Sequence, residues 1–152
     1  MLLIGAMIFA NMLALSGVPF KLIGVLTTMP VQPWVILVMV MVMYIILGFF
    51  LPILPLLLIL MPVMAPVFDA FGFDSVWIGV LTVMTMLMGT ITPPVGVLVF
   101  ALAGQLRDVP MWTIFKGVTP FLFMMIVSLA LIIAFPDIAL GIVKLMKPWA
   151  YG

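Results

Sequence analysis

The sequence contains no cysteine and no histidine, and glutamate occurs at no position. Disulfide frameworks, zinc sites, thiol nucleophiles and imidazole acid–base catalysis are therefore excluded by inventory. Charge is scarce as well: charged residues make up 6% of the chain, against about a quarter in a globular domain. A soluble fold of this size must cover its surface with polar groups, and this chain has too few. The net charge is +1, and no basic cluster marks a nucleic-acid partner. The start, Met1-Leu2-Leu3-Ile4-Gly5, shows neither a basic leader region nor a small-residue cleavage pattern, so insertion is expected to rely on the helices themselves.

What is present is apolar: 68% of residues are hydrophobic, interrupted by 13 prolines and 12 glycines. The bilayer suits such a chain, and the expected class is an all-α integral membrane protein. Residues 1–33 read as a first helix and loop. Met1 to Ser16 would be about 24 Å long, short of the roughly 30 Å hydrocarbon core. Gly17-Val18-Pro19 would stop it, with Lys21 in a polar connection closed by Pro30, Gln32 and Pro33. Residues 34–51 read as a transmembrane helix beginning at Trp34. The region 52–74 carries Pro52, Pro55, Pro62 and Pro66, each removing a backbone donor. Unpaired backbone survives at membrane depth only under cover, so roughly 49–70 is expected to be a re-entrant hairpin.

Residues 75–106 are too long for one straight span and are interrupted by Gly89-Thr90-Ile91-Thr92-Pro93-Pro94-Val95-Gly96. They read as a discontinuous helix whose two halves together make one crossing. The last transmembrane helix falls within 110–136, centred on Gly117 to Phe135, with Pro120 in its first turn and Pro136 past its end. The tail, 137–152, would set Ile142, Val143, Leu145 and Met146 against Lys144 and Lys147. Trp34, Trp77, Trp112 and Trp149 all fall near proposed helix ends, as interfacial rings do. With Lys21 on the cytoplasmic side, a hairpin at 49–70 returns Arg107 and Lys116 to that same side.

The interruption at 89–96 is the strongest chemical signal. Paired prolines flanked by glycines unwind a helix and free carbonyl and amide groups at depth, where half-helix ends bind ions and anionic groups. Thr90 and Thr92 add hydroxyl oxygens, and the same stretch read as a kink would only shape packing. Asp69, Asp74, Asp108 and Asp137 all sit at element ends and read as solvated. No paired carboxylates lie at depth, so no catalytic function is expected. The 16 methionines are scattered along the spans and read as packing, not metal handling.

These residues resemble the large membrane subunit of tripartite ATP-independent periplasmic (TRAP) transporters, the DctM-like proteins. The resemblance runs through Leu15-Ser16-Gly17-Val18-Pro19, Gly48-Phe49-Phe50-Leu51, Pro62 and Pro66, Phe71 to Gly79, Ile91-Thr92-Pro93-Pro94-Val95-Gly96, Pro120-Phe121 and Phe135-Pro136. It implies one repeat of an elevator-type ion transporter fold, the second of two inverted repeats in a longer permease of a bacterial inner membrane. It further implies Na⁺ symport of a small organic acid such as a C4-dicarboxylate, without a cofactor. Its partners would be a small DctQ-like membrane subunit, a periplasmic binding protein and the first repeat of the permease. The implied substrate and ion site comprises Gly48, Thr85, Gly89, Thr90, Thr92, Pro93, Pro94, Val95 and Gly96, with Na⁺ at Gly89, Thr92 and Gly96. Two positions depart from the family pattern: Pro52 stands where Asp is usual, and Thr85 where Asn is frequent. Alternative readings are another elevator-type sodium and anion symporter, or a membrane protein that packs without transporting.

Overall fold

Eight α-helices and no strand form the described part of the computed structural model, residues 2–28, 32–93, 96–106 and 109–146. The expected all-α class is what the chain adopts. Pro30, Pro94, Val95, Arg107, Asp108, Lys147 and Trp149 lie outside the described residues, as do the side chains beyond Gly141.

The first break in the chain is a bend between two helices. Helix α1, Leu2–Leu15, and helix α2, Val18–Thr28, are bent by 55° at Ser16-Gly17. Gly17 adopts φ 73°, a left-handed conformation that costs a β-carbon-bearing residue about 1 kcal/mol or more. Ser16 Oγ donates to the Leu13 carbonyl at 2.7 Å, closing α1. Pro19 sits in the first turn of α2, where no backbone donor is needed. Lys21 therefore belongs to a helix and not to the polar connection expected from sequence.

Helix α3 spans Pro33–Gly48, helix α4 Ile53–Ala70 and helix α5 Ser75–Ile91. Helices α3 and α5 run parallel. The rings of Trp34 and Trp77, near their first turns, meet edge-on at 6.2 Å, and Gly48 and Gly89 touch near their last turns. The segment between them must therefore return the whole length of α3.

It does so as one unbroken helix of 18 residues, and the expected hairpin over 49–70 is corrected to a single helix. Two of the four prolines explain the difference. Pro52 is the N-cap residue and Pro55 lies in the first turn, where the backbone amides have no intrahelical acceptor anyway. Only Pro62 and Pro66 are interior. Spaced four apart, they withhold donors from the carbonyls of Leu58 and Pro62, on one face, so the helix continues. Trp34 and Asp74 consequently lie at the same end of the helix bundle.

Helix α6 spans Val97–Gln105, helix α7 Met111–Ala134 and helix α8 Pro136–Met146. Pro120 lies inside α7, not in its first turn, because the helix begins at Met111. Trp77 Nε1 donates to the Ile132 carbonyl at 2.9 Å, bringing the end of α7 to the Trp34 face. Trp112 lies 20 residues before Ile132 in α7, about 30 Å along the axis, which is the thickness of the hydrocarbon core. The two tryptophan levels are thus one hydrocarbon thickness apart, as interfacial rings at the two ends of a span would be. Helices α4 and α7 are each long and apolar enough to cross, with mean hydropathies of 2.1 and 2.4.

Helix α5 sits at the centre, packing on α3, α4, α6, α7 and α8. Its core partners include Leu37 and Tyr44 from α3, Leu56 and Phe68 from α4, and Leu140 from α8. In lipid, burial of such side chains adds little driving force, because acyl chains are as apolar as leucine. Association falls to close packing and interhelical polar contacts.

Candidate functional site

The site begins where α3 and α5 approach most closely. A β-carbon on Gly89 would stand 2.6 Å from the Ile45 carbonyl oxygen and 2.9 Å from Gly48 Cα. One on Gly48 would stand 2.9 Å from the Met86 carbonyl oxygen and 3.0 Å from Gly89 Cα. These obstacles are backbone and cannot rotate away, so both positions require glycine for this approach.

Just beyond Gly89 the helix ends. Thr92 is extended at φ −77°, ψ 134°, and its amide donates to the Met88 carbonyl at 3.0 Å and the Gly89 carbonyl at 3.3 Å. Pro94, having no N–H, cannot serve the Thr90 carbonyl four residues back. The chain then turns over this end. Gly96, at φ 33°, lies so close that a β-carbon there would be 3.2 Å from the Thr92 carbonyl oxygen and 3.3 Å from that of Thr90. Helix α6 starts at Val97 and packs Val99 against Ile114 and Phe115 of α7. Two helices, α5 and α6, stand where a discontinuous helix was expected over 75–106, but Gly89, Thr90 and Ile91 stay helical, so the interruption expected over 89–96 is corrected to one that begins at Thr92. From Trp77 to Ile91 is 14 residues, about 21 Å of helix, shorter than the roughly 30 Å hydrocarbon core, so α5 alone would not cross it.

The threonine hydroxyls at this end are already oriented. Thr90 Oγ1 donates to the Leu87 carbonyl at 2.7 Å, and Thr92 Oγ1 donates to that of Met88. A hydroxyl whose proton is engaged in this way presents only its lone pairs outward. With the Thr90 and Thr92 carbonyls that lie under Gly96, they make the end of α5 a corner rich in acceptors, in a stretch of sequence with no Asp, Lys or Arg between Ser75 and Gly96. Its chemistry suits a small hard cation or a hydrogen-bond donor, and a bare anion poorly.

Of the residues expected in the site, Gly48 meets Gly89 across α3 and α5, and Gly96 meets the Thr90 and Thr92 carbonyls just beyond Gly89. Pro93 lies beside them and is exposed, whereas Pro94 and Val95 fall outside the described residues. Thr85 sits one turn lower, fully buried, with its hydroxyl donating to the Leu81 carbonyl at 2.6 Å. Three groups that hold α5 in place were not singled out from sequence. The Ile45 carbonyl is invisible as a residue type. Asp74 caps α5, its Oδ1 accepting from the amides of Val76 at 2.9 Å and Trp77 at 3.1 Å. An Asp-Ser pair before an apolar run is a readable N-cap signal. Trp77 could be read only as an interfacial ring, not as a donor to α7.

Helices fit to cross a bilayer, with one broken around a polar corner, define a multi-pass membrane protein. The family described as "Tripartite ATP-independent periplasmic transporter, DctM component" matches residues 1–138, and the chain belongs to that family. Like other TRAP permeases, it is an inner-membrane protein. The sialic acid TRAP transporter large permease protein of Vibrio cholerae is 31% identical over 140 residues, 92% of this chain and 33% of that protein. The sialic acid TRAP transporter permease protein of Haemophilus influenzae is 32% identical over 92% of this chain and 23% of its own length. The C4-dicarboxylate TRAP transporter large permease protein of Pseudomonas aeruginosa is 28% identical over 90% of this chain and 32% of itself. The chain spans about a third or less of the length of these relatives. No solved structure matches it.

Proposed function

We propose that this chain carries one half of the transport site of a TRAP large permease, and that the permease imports a small organic acid by Na⁺ symport. The observation that carries this is the acceptor-rich end of α5 at its break, on a helix held against α3 by Gly48 and Gly89. Oxygen lone pairs from Thr90, Thr92 and the carbonyls under Gly96 meet the needs of Na⁺, and the bound cation then offsets the negative charge of the substrate. The amide end of α6 supplies a second favourable potential for that charge. Relatives named for sialic acid, C4-dicarboxylates, ectoine and isethionate all concern molecules bearing a carboxylate or sulfonate. An organic anion is therefore the substrate class, with a C4-dicarboxylate the first to test. The other half of the site would come from a first repeat, related by inversion, in the part of the family's length that this chain does not span. The complete carrier works with a small membrane subunit and a periplasmic binding protein.

The test is uptake in proteoliposomes containing the chain together with a first repeat and the small subunit, supplied with a ligand-loaded binding protein. An inward Na⁺ gradient should drive a labelled organic acid above its equilibrium level, and a K⁺ gradient should not. Equal uptake under the two gradients would remove the symport reading. No uptake of any organic anion by a correctly inserted assembly would favour the non-transporting alternative.

A further inference from the structure

Trp77 has a bonding partner that its place in the sequence does not suggest. In a helix the Ile132 carbonyl would accept from residue 136, but Pro136 has no N–H to give. The Trp77 indole fills that role from another helix, at 2.9 Å and across 55 residues of sequence. The side chain is 4% exposed. Its ring is fixed on two sides, edge-on to Trp34 at 6.2 Å and against Phe73 at 5.9 Å. The backbone amide of Trp77 is held separately by Asp74. The first turn of α5 is thus tied to the α7–α8 corner, while its last turn is tied to α3 by Gly89.

We infer that Trp77 is a positioning residue: its indole N–H sets the height of α5 against α7, and through the helix the height of the break at Thr92. A helix is stiff along its axis, so a register fixed at one end is transmitted to the other. Loss of the N–H leaves a half-buried carbonyl unpaired and releases the axial constraint, and α5 can then settle at a different height. The consequence for transport rests on the function proposed above; the consequence for geometry does not.

The test uses the absence of native cysteine in this chain. A lone Thr92→Cys reports the position of the break by its labelling rate with a water-soluble maleimide, in the full assembly in vesicles and with no transport required. Trp77→Phe keeps the ring and removes the donor. It should change the labelling rate about tenfold, the scale of one buried hydrogen bond, and Trp77→His, which retains a ring N–H, should largely restore it. An unchanged labelling rate in Trp77→Phe, or no return toward the wild-type rate in Trp77→His, would overturn the positioning role. In transport assays on the cysteine-free background, Trp77→Phe should raise the half-saturating Na⁺ concentration. If wild-type uptake proves independent of Na⁺, the symport reading fails while the labelling result still decides the role of Trp77.

Discussion

Gly48 and Gly89 face each other with no side chain between them, close enough that a methyl group on either would enter the backbone of the other helix. Gly89→Ala should be the more damaging change, because its β-carbon would lie 2.6 Å from a carbonyl oxygen, against 2.9 Å for Gly48→Ala. Alanine favours a helix over glycine by about 1 kcal/mol, and overpacking against fixed backbone costs about 1–3 kcal/mol, so steric strain outweighs propensity at Gly89. Gly79, on the same helix with nothing within 4 Å of its would-be β-carbon, is the control. Thermal midpoints in detergent should fall for Gly89→Ala, fall less for Gly48→Ala, and hold or rise for Gly79→Ala. An unchanged midpoint for Gly89→Ala would mean that the two helices can part without loss.

A full crossing by α4 makes a topological statement that a hairpin would not. Phe50 precedes the helix and Ala70 ends it, and both are exposed. Single cysteines at these positions should label from opposite sides of the membrane in oriented vesicles. Labelling of both from one side would restore the re-entrant hairpin.

The broken helix was legible because its signal is chemical: Pro93 and Pro94 carry no amide hydrogen in any fold, so a helix through them must lose bonds. The course of 49–70 was not legible, because the cost of a proline depends on where the helix starts. Pro52 and Pro55 look like breakers until Ile53 is known to be the first helical residue, whereupon they become harmless. The Gly48–Gly89 contact lies between these cases. Glycine in an apolar run marks a close approach, but its partner, Ile45 with its carbonyl oxygen, has no sequence signature. The pairing of Trp77 with Ile132 was hidden for the same reason, since any residue offers a carbonyl.

The Asp74 cap is a local bond whose loss can be measured apart from the site. Its carboxylate accepts from two amides at the start of α5, and Ser75 Oγ donates to Asp69 Oδ1 at 3.2 Å alongside. Asp74→Ala should destabilise the protein by about 1 kcal/mol, and Asp74→Ser or Asp74→Asn should recover most of that loss. If all three variants unfold at the wild-type temperature, the cap adds nothing and the tertiary contacts of Trp77 alone hold the helix start.

Thr92 separates an ion ligand from a structural hydroxyl. Its proton is engaged with the Met88 carbonyl, so only the oxygen lone pairs remain for a cation. Thr92→Val preserves the branched shape and removes the oxygen; Thr92→Ser preserves the oxygen and trims a methyl group. If the proposed symport is correct, Thr92→Val should raise the half-saturating Na⁺ concentration of uptake about tenfold, the equivalent of ~1.4 kcal/mol, and Thr92→Ser should leave it near the wild-type value. A purely structural hydroxyl gives a different pattern. Losing its back-bond to the helix would alter the maximal rate or the amount of folded protein and leave the Na⁺ dependence where it was. Equal Na⁺ titrations for Thr92→Val and wild type would therefore remove Thr92 from the ion site, even if both variants transported slowly.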